Sequence, residues 1–326
     1  MKFQARQHWR ALSDQLAQTR SHFSTYAWIV LGYNILVIVW GQVVLASGSG
    51  DGCGDRWPLC GDHLIPTFKR LATLIEYLHR LSTGVDTLLL LILVAWAFLA
   101  FPKRHPARFG ALLAILFTFF EALLGAILVL FGLVDRNTSV ARVIAMSAHQ
   151  SNTLLLLASI ALTAWWGSGG ARIQWSNQGI VAKLLLGLLI TVPIVAISGA
   201  IAGLADTLYP SHNLAQAIGD DFRSGTPYLV HLRAFHPFLA ILVMVFACYA
   251  ASRIWQLRPT LHTKRYAQRV YLLFLIELTA GVINLSLLAP IWARGLHLLI
   301  ADLLWVNVVL LAAAALPKHY VTTRNA

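Results

Sequence analysis

Residues 76–101 read EYLHRLSTGVDTLLLLILVAWAFLAF, a short polar stretch with one histidine followed by a long apolar run. A bilayer core of about 30 Å takes about 20 helical residues, so this run is long enough to cross a membrane. The same criterion predicts eight spans, at residues 26–46, 81–101, 111–133, 143–166, 180–204, 230–251, 270–288 and 292–316. Backbone groups in lipid must be satisfied within the segment, and the alternation of a barrel strand is absent. The sequence therefore predicts an all-α membrane protein.

The basic charge follows the predicted topology. The chain carries a net charge of +12, which by itself would suggest a nucleic-acid partner. With the N-terminus inside, however, 16 of the 25 basic residues fall in inner segments, beside a single acid, Asp14. This is the positive-inside bias. It predicts an inner (cell) membrane protein with both termini in the cytoplasm and no nucleic-acid partner.

Four histidines recur near the starts of alternate spans. They are His79, His149, His236 and His297. The first pair lies in the first half of the chain and the second pair in the second half, at offsets of 157 and 148 residues. All four fall on spans that run from outside to inside, so we expect them at similar depth near the outer leaflet.

Other positions repeat with the histidines. Glu121 and Gly125 match Glu277 and Gly281 at an offset of 156, and Gly41 matches Gly199 at 158. Parallel repeats of this kind predict two four-helix bundles related by a pseudo-two-fold axis along the membrane normal. The predicted organisation is an N-terminal cytoplasmic segment, a first bundle, a cytoplasmic linker, a second bundle and a cytoplasmic tail, at 1–25, 26–166, 167–179, 180–316 and 317–326.

The histidine pattern favours two haems. Neutral imidazole is a common axial ligand of haem iron, and each bundle offers two histidines from facing helices. Tetrahedral zinc fits poorly, because neither half adds a cysteine or clustered carboxylates at ligand spacing. The alternative is that the histidines are polar groups satisfied between helices. His231 competes with His236 for the sixth span, and we prefer His236 because Arg233 then occupies the position that Glu76 has before His79.

The two halves differ beside these histidines. Glu76 stands three residues before His79, on the same helix face, whereas Arg233 stands three before His236. This difference suggests a reacting porphyrin in the first half and a permanent, electron-handling haem in the second. The alternative is that Glu76 only pairs with Arg80 at i,i+4. The carboxylates inside spans are expected to fix helix packing or hydrogen-bond networks, with a proton path as the alternative; they are Asp86, Glu121, Glu277 and Asp302.

Cys53 and Cys60 flank six residues of the first outer loop, in a compartment that permits disulfides. We expect a bridge between them, structural or redox-active, with unpaired thiols as the alternative. Cys248, within the sixth span, is expected to be a packing residue.

Taken together, these segments resemble the haem A synthase family over essentially all eight spans. The matching stretches are Ala46-Ser-Gly-Ser-Gly50, Cys53-Gly-Asp-Arg-Trp-Pro-Leu-Cys60, Glu76-Tyr-Leu-His-Arg80, His149-Gln150, His236-Pro237, His297-Leu298 and Ala301-Asp302. Leu45 stands where the family often has arginine before the Ala-Ser-Gly motif.

The resemblance implies an oxidoreductase that converts the C8 methyl of haem O to the formyl group of haem A. His79 and His149 would bracket the haem O substrate, and His236 and His297 would ligate a resident haem b. Glu76 would be the catalytic residue, and Cys53 and Cys60 the family's outer-loop pair. The resemblance does not identify the electron acceptor. The expected partners are a haem O-producing farnesyltransferase and a second copy of the chain.

Two other classes compete with this hypothesis. A di-haem cytochrome b that only transfers electrons explains the four histidines but not Glu76. A membrane thiol-disulfide oxidoreductase explains Cys53 and Cys60 but none of the histidines.

Overall fold

A computed structural model describes residues 2–61 and 63–317, with side chains from residue 21 onward. The helices are α1 (Lys2–Ala46), α2 (Leu71–Ala100), α3 (Pro106–Leu130), α4 (Val140–Gly167), α5 (Ile180–Leu208), α6 (Leu214–Phe222), α7 (Tyr228–Arg233), α8 (Phe235–Leu257), α9 (Leu261–Ser286) and α10 (Ile291–Ala315). Residues 318–326 of the predicted tail lie outside the described part.

The prediction of eight membrane helices is confirmed. Within the described residues, eight helices are long and apolar enough to cross a membrane, with α7 and α8 together forming one span over Tyr228–Leu257. The protein is therefore an integral membrane protein.

Two predicted helix starts are wrong by about ten residues. Helix α2 begins at Leu71 rather than residue 81, and α9 at Leu261 rather than 270. In α2 the charged residues Glu76 and Arg80 interrupt the apolar run after its first turn, and α9 opens with polar turns, so an apolar-run criterion leaves both starts out. In α9 these turns are stabilised by a capping box, in which Thr260 and Thr263 each bond the other's backbone amide.

The sixth span is interrupted near its start. Helix α7 ends at Arg233 and α8 begins at Phe235. Pro237 has no N–H to donate to the carbonyl four residues earlier, which is that of Arg233, so the first turn of α8 cannot continue the ladder of α7. The break places His236 in the first turn of α8.

The helices of each half form a closed ring of neighbours. Helix α1 packs on α2 and α4, with α3 between those two; α5 likewise packs on α8 and α10, with α9 between them. The rings join along α1, α4, α5 and α10. There Trp305 of α10 donates a hydrogen bond to the carbonyl of Leu154 on α4 at 2.7 Å. The axis relating the two rings stays a prediction.

Candidate functional site

The four histidines lie near the N-terminal ends of alternate spans. His79, His149 and His297 stand eight, nine and six residues after the first residues of α2, α4 and α10. His236 stands eight residues after Tyr228, where the sixth span begins. Because the spans alternate in direction, these ends share one side of the membrane with the Cys53–Cys60 loop. We call this side the disulfide face.

His236 and His297 face each other. Their ring centroids are 6.2 Å apart, and the ring planes are inclined by 81°. Nδ1 of His236 lies 2.9 Å from Oγ of Ser198 on α5, and Nδ1 of His297 lies 3.2 Å from Oε1 of Glu277 on α9. In both residues Nδ1 lies within 3.2 Å of a side-chain oxygen on a neighbouring helix, which leaves Nε2 as the nitrogen for a ligand.

The first-half histidines are held differently from each other. Nδ1 of His149 lies 2.5 Å from Oε2 of Glu121 on α3, and Asn152 donates a hydrogen bond to Oε1 of that carboxylate at 2.9 Å. Nδ1 of His79 is also buried, but among the described residues it has neither a hydrogen-bond partner nor a carboxylate contact of the kind that His149 makes. The His79 ring is close enough to His149 and Glu121 to interact with them electrostatically.

Glycines on neighbouring helices make room for three of the rings. A Cβ on Gly41 would lie 3.1 Å from Cε1 of His79, and one on Gly281 would lie 3.3 Å from Cε1 of His297. A Cβ on Gly199 would come within 2.9 Å of Cε1 of His236. A side chain at these positions would therefore push the imidazole away from the helix it packs against. The fourth repeated glycine, Gly125, has open space around its Cβ position.

These features fit a haem ligated by two histidines. With metal–nitrogen bonds of about 2 Å on each side, two axial rings have their centres roughly 6 Å apart, as His236 and His297 do. The His149 side chain is 34% exposed although its Nδ1 is buried, so the accessible surface belongs to its other atoms.

His231 is engaged elsewhere. Its Nδ1 lies 2.9 Å from the carbonyl oxygen of Asp221, and its Nε2 lies 3.0 Å from Oγ1 of Thr226. Both ring nitrogens are used inside the loop that contains α6. The geometry therefore favours His236 as the ligand on the sixth span.

Glu76 fastens the disulfide loop to α2. The residue is 3% exposed; Oε1 accepts hydrogen bonds from Arg80, and Oε2 accepts one from the backbone N–H of Cys53 at 2.7 Å. Arg80 also donates to the carbonyls of Arg56 and Leu59, each at 2.7 Å. The i,i+4 pair that stood as an alternative is therefore present, but it is one part of a larger loop anchor.

The loop itself is closed by a disulfide, as predicted. Cys53 and Cys60 are bonded and each is 4% exposed. Thr73 of α2 donates a hydrogen bond to the carbonyl of Gly52 at 2.7 Å, beside the bridge. The bridge and Glu76 thus belong to one connected unit on the disulfide face.

Arg233 plays the corresponding part in the second half with the opposite charge. Its guanidinium contacts Asp206 of α5 at 2.8 Å and Asp221 of α6 at 2.6 Å. It also donates a hydrogen bond to the carbonyl of Ala217. Both halves therefore fasten a loop of the disulfide face through a buried charge three residues before a histidine.

The remaining carboxylates inside spans differ in role. Asp86 accepts a hydrogen bond from Asn34 of α1 at 2.7 Å, which is a packing contact between α1 and α2. Asp302 is 1% exposed and has no hydrogen-bond partner within the described part of the chain. The contacts of Glu121 and Glu277 with histidines were missed from sequence, although their common offset of 156 residues was the signal that could have revealed them.

This arrangement defines an integral membrane protein with repeated histidine sites at one face of a helical bundle. The model of a family described as cytochrome oxidase assembly protein, COX15-CtaA, matches residues 67–309. The chain belongs to this family.

Curated relatives carry two different names. The chain is 43% identical over 298 residues to a "Protoheme IX farnesyltransferase" of Thermus thermophilus, a match that covers 91% of this chain and 49% of the relative. It is 34% identical over 168 residues to a "Heme A synthase" of Exiguobacterium sibiricum, covering 51% of this chain and 54% of the relative. A "Heme A synthase" of Halalkalibacterium halodurans is 36% identical over 127 residues, covering 39% and 42%. The chain thus spans about half the length of the curated relatives it matches.

Proposed function

We propose that the chain is a haem A synthase, which oxidises the C8 methyl of haem O to a formyl group. The observation that carries the proposal is the facing pair His236 and His297, set 6.2 Å apart with Nδ1 of each held by a neighbouring helix. Membership of the cytochrome oxidase assembly family and the relatives named Heme A synthase support it.

The two halves divide the work in this proposal. His79 and His149 hold the substrate haem O, and His236 and His297 hold a resident haem b, whose chemistry is one-electron transfer. Two buried residues support this division: Glu76, three residues before His79, and Arg233, three residues before His236. Only the carboxylate of Glu76 can act as a base. Glu76 is the catalytic residue of the proposal.

The conversion of a methyl to a formyl group with water as the oxygen source releases four protons and four electrons, and the electrons pass to an acceptor in the membrane. In this proposal Glu76 accepts a proton once the Cys53 amide or Arg80 releases an oxygen of its carboxylate. The buried setting limits competing contact with bulk water. The alternative route, in which one histidine leaves the substrate iron before oxygen chemistry, uses the same residues.

The remaining assignments complete the proposal. The first bundle (26–166) holds the substrate and the second (180–316) the resident haem, joined by the linker at 167–179. The protein lies in the inner membrane with residues 1–25 and 317–326 in the cytoplasm, and it can act as a homo-oligomer. A farnesyltransferase that makes haem O is a fitting partner, since a relative with that name is about twice as long as the segment it shares with this chain.

Haem extraction and chromatography test the proposal. Membranes that contain the chain are supplied with haem O, and separately with haem b and farnesyl diphosphate. Haem A formed from haem O supports the proposal. Haem O formed from haem b would assign the chain the activity in its relative's name, and unchanged haems with reversible redox cycling would make it an electron-transfer cytochrome.

A further inference from the structure

We propose that Glu121 and Glu277 are positioning residues, each of which holds one haem-ligating histidine through Nδ1 so that Nε2 is presented to iron. The inference rests on the proposed function, because it assumes that His149 and His297 are haem ligands. It assigns a role to two intramembrane carboxylates that the catalytic proposal leaves without one.

The geometry is the same in both halves. Glu121 on α3 contacts Nδ1 of His149 on α4 at 2.5 Å, and Glu277 on α9 contacts Nδ1 of His297 on α10 at 3.2 Å. In each case the carboxylate comes from the third span of its half and the histidine from the fourth. A purely accidental contact would have no reason to recur in both halves, where the glutamates are 156 residues apart and the histidines 148.

A carboxylate on Nδ1 has a defined effect on a ligating imidazole. It fixes the tautomer that keeps Nε2 free, sets the ring orientation and increases the basicity of the ligand. The negative charge also favours ferric over ferrous iron, because the ferric state carries one more positive charge. A residue that only packed helices together would not move the redox potential of a bound haem.

The first-half carboxylate is itself anchored. Asn152 donates to Oε1 of Glu121 at 2.9 Å and also donates to the carbonyl of Phe117 at 2.8 Å. This leaves Oε2 directed at His149. In the second half, Oε2 of Glu277 has no hydrogen-bond partner among the described residues, and Oε1 is the oxygen that contacts the histidine.

The other histidine of each half lacks a carboxylate. His236 is held by the neutral hydroxyl of Ser198, and Nδ1 of His79 is buried without a partner in the described part. Each pair of ligands therefore combines one carboxylate-held imidazole with one that is held more weakly. His149 is thus the more rigidly held ligand of the first half, and His297 that of the second.

The test is a spectroelectrochemical titration of the purified holoprotein in detergent, with Glu121→Gln and Glu277→Gln as controls for each other. Glutamine keeps the shape and removes the charge. Each variant is expected to raise the midpoint potential of one haem component and leave the other in place, and to retain its haem 10–100-fold less tightly. Ser198→Ala is expected to give a smaller shift in the component that responds to Glu277→Gln.

Unchanged potentials in both glutamine variants, with haem bound, would overturn this inference and leave the proposed function standing. A wild-type chain that binds no haem would overturn both. If Glu277→Gln fails to fold, Glu277→Asp is used instead. Aspartate keeps the charge, so its upward shift in midpoint potential is expected to be smaller than that of Glu121→Gln. An unchanged potential in Glu277→Asp would overturn the assignment for the second half.

Discussion

Glu76 accepts a hydrogen bond from the backbone amide of Cys53 at 2.7 Å, which joins the proposed catalytic carboxylate directly to the disulfide loop. The other carboxylate oxygen is bound by Arg80, whose guanidinium also reaches carbonyls of the same loop. The Glu76 side chain is therefore both the proposed catalytic group and a structural contact of the disulfide loop. Variants at this anchor must be chosen to separate the two.

Glu76→Gln is expected to lower the formation of haem A by about 10²–10⁴-fold, the usual contribution of a positioned general acid or base. The amide can still accept the Cys53 hydrogen bond, so folding should survive. Haem extraction with a haem O source measures the loss. Arg80→Gln is the matched control: if it lowers activity as much as Glu76→Gln does, the ion pair rather than the carboxylate is what matters.

Cys53→Ser with Cys60→Ser is expected to lower the free energy of unfolding by about 2 kcal/mol, the chain-entropy value for a loop this short. Activity should fall with it, because Glu76 is bonded to the Cys53 amide. Thermal unfolding in detergent measures the first effect and haem A formation the second. Cys248→Ser, which removes an unpaired thiol, should change neither. A double variant with wild-type stability would show that the loop is held by Glu76 and Arg80 alone.

The eight spans could be predicted from sequence because every backbone N–H and C=O in lipid must be hydrogen-bonded within the protein, which limits spanning segments to helices and closed barrels. Helix ends were harder to predict, since charged residues interrupt the apolar run near the start of α2 and the first turns of α9 are polar. The common offset of Glu121 and Glu277 singled these two residues out, but it did not by itself predict the contact of Glu121 with His149. That contact depends on how α3 and α4 are rotated against each other, which periodicity in two largely apolar helices does not fix.

The repeat was more informative than any single residue. Gly41 and Gly199 were matched only by their offset, and in the structure both pack against a candidate haem ligand. Gly125 and Gly281 were matched in the same way, yet only Gly281 contacts its histidine. Sequence correspondence therefore located equivalent helix positions but not equivalent contacts.

Gly199→Ala is expected to displace the His236 ring, because the added Cβ would lie 2.9 Å from Cε1. Overpacking of this kind costs about 1–3 kcal/mol, and haem content should fall with it. Gly41→Ala should act similarly but more mildly on His79, at 3.1 Å. Gly32→Ala, on the same helix as Gly41 but with open space around its Cβ position, is the control and should keep full haem content. Equal haem content in all three variants would contradict the packing argument.

His79 is expected to be the ligand that exchanges most readily. Its Nδ1 has no hydrogen-bond partner among the described residues, whereas Nδ1 of each of the other three candidate ligands lies within 3.2 Å of a side-chain oxygen on a neighbouring helix. Carbon monoxide added to the reduced holoprotein should therefore bind at one haem and not at the other. His79→Ala should increase the fraction that binds carbon monoxide rapidly, and His149→Ala should instead release the first-half haem. Carbon monoxide binding at neither haem in the wild type would contradict this expectation.

The choice between His231 and His236 can be settled by one pair of variants. His236→Gln should abolish the resident haem, since His236 faces His297 with its Nε2 available. His231→Gln should keep that haem and lower the free energy of unfolding by about 1–2 kcal/mol, because two loop hydrogen bonds are lost. Absorbance of the purified variants gives haem content, and thermal unfolding gives stability. Loss of haem only in His231→Gln would instead make His231 of α7 the ligand. The loop would then have to rearrange, because both ring nitrogens of His231 are bonded to Thr226 and Asp221.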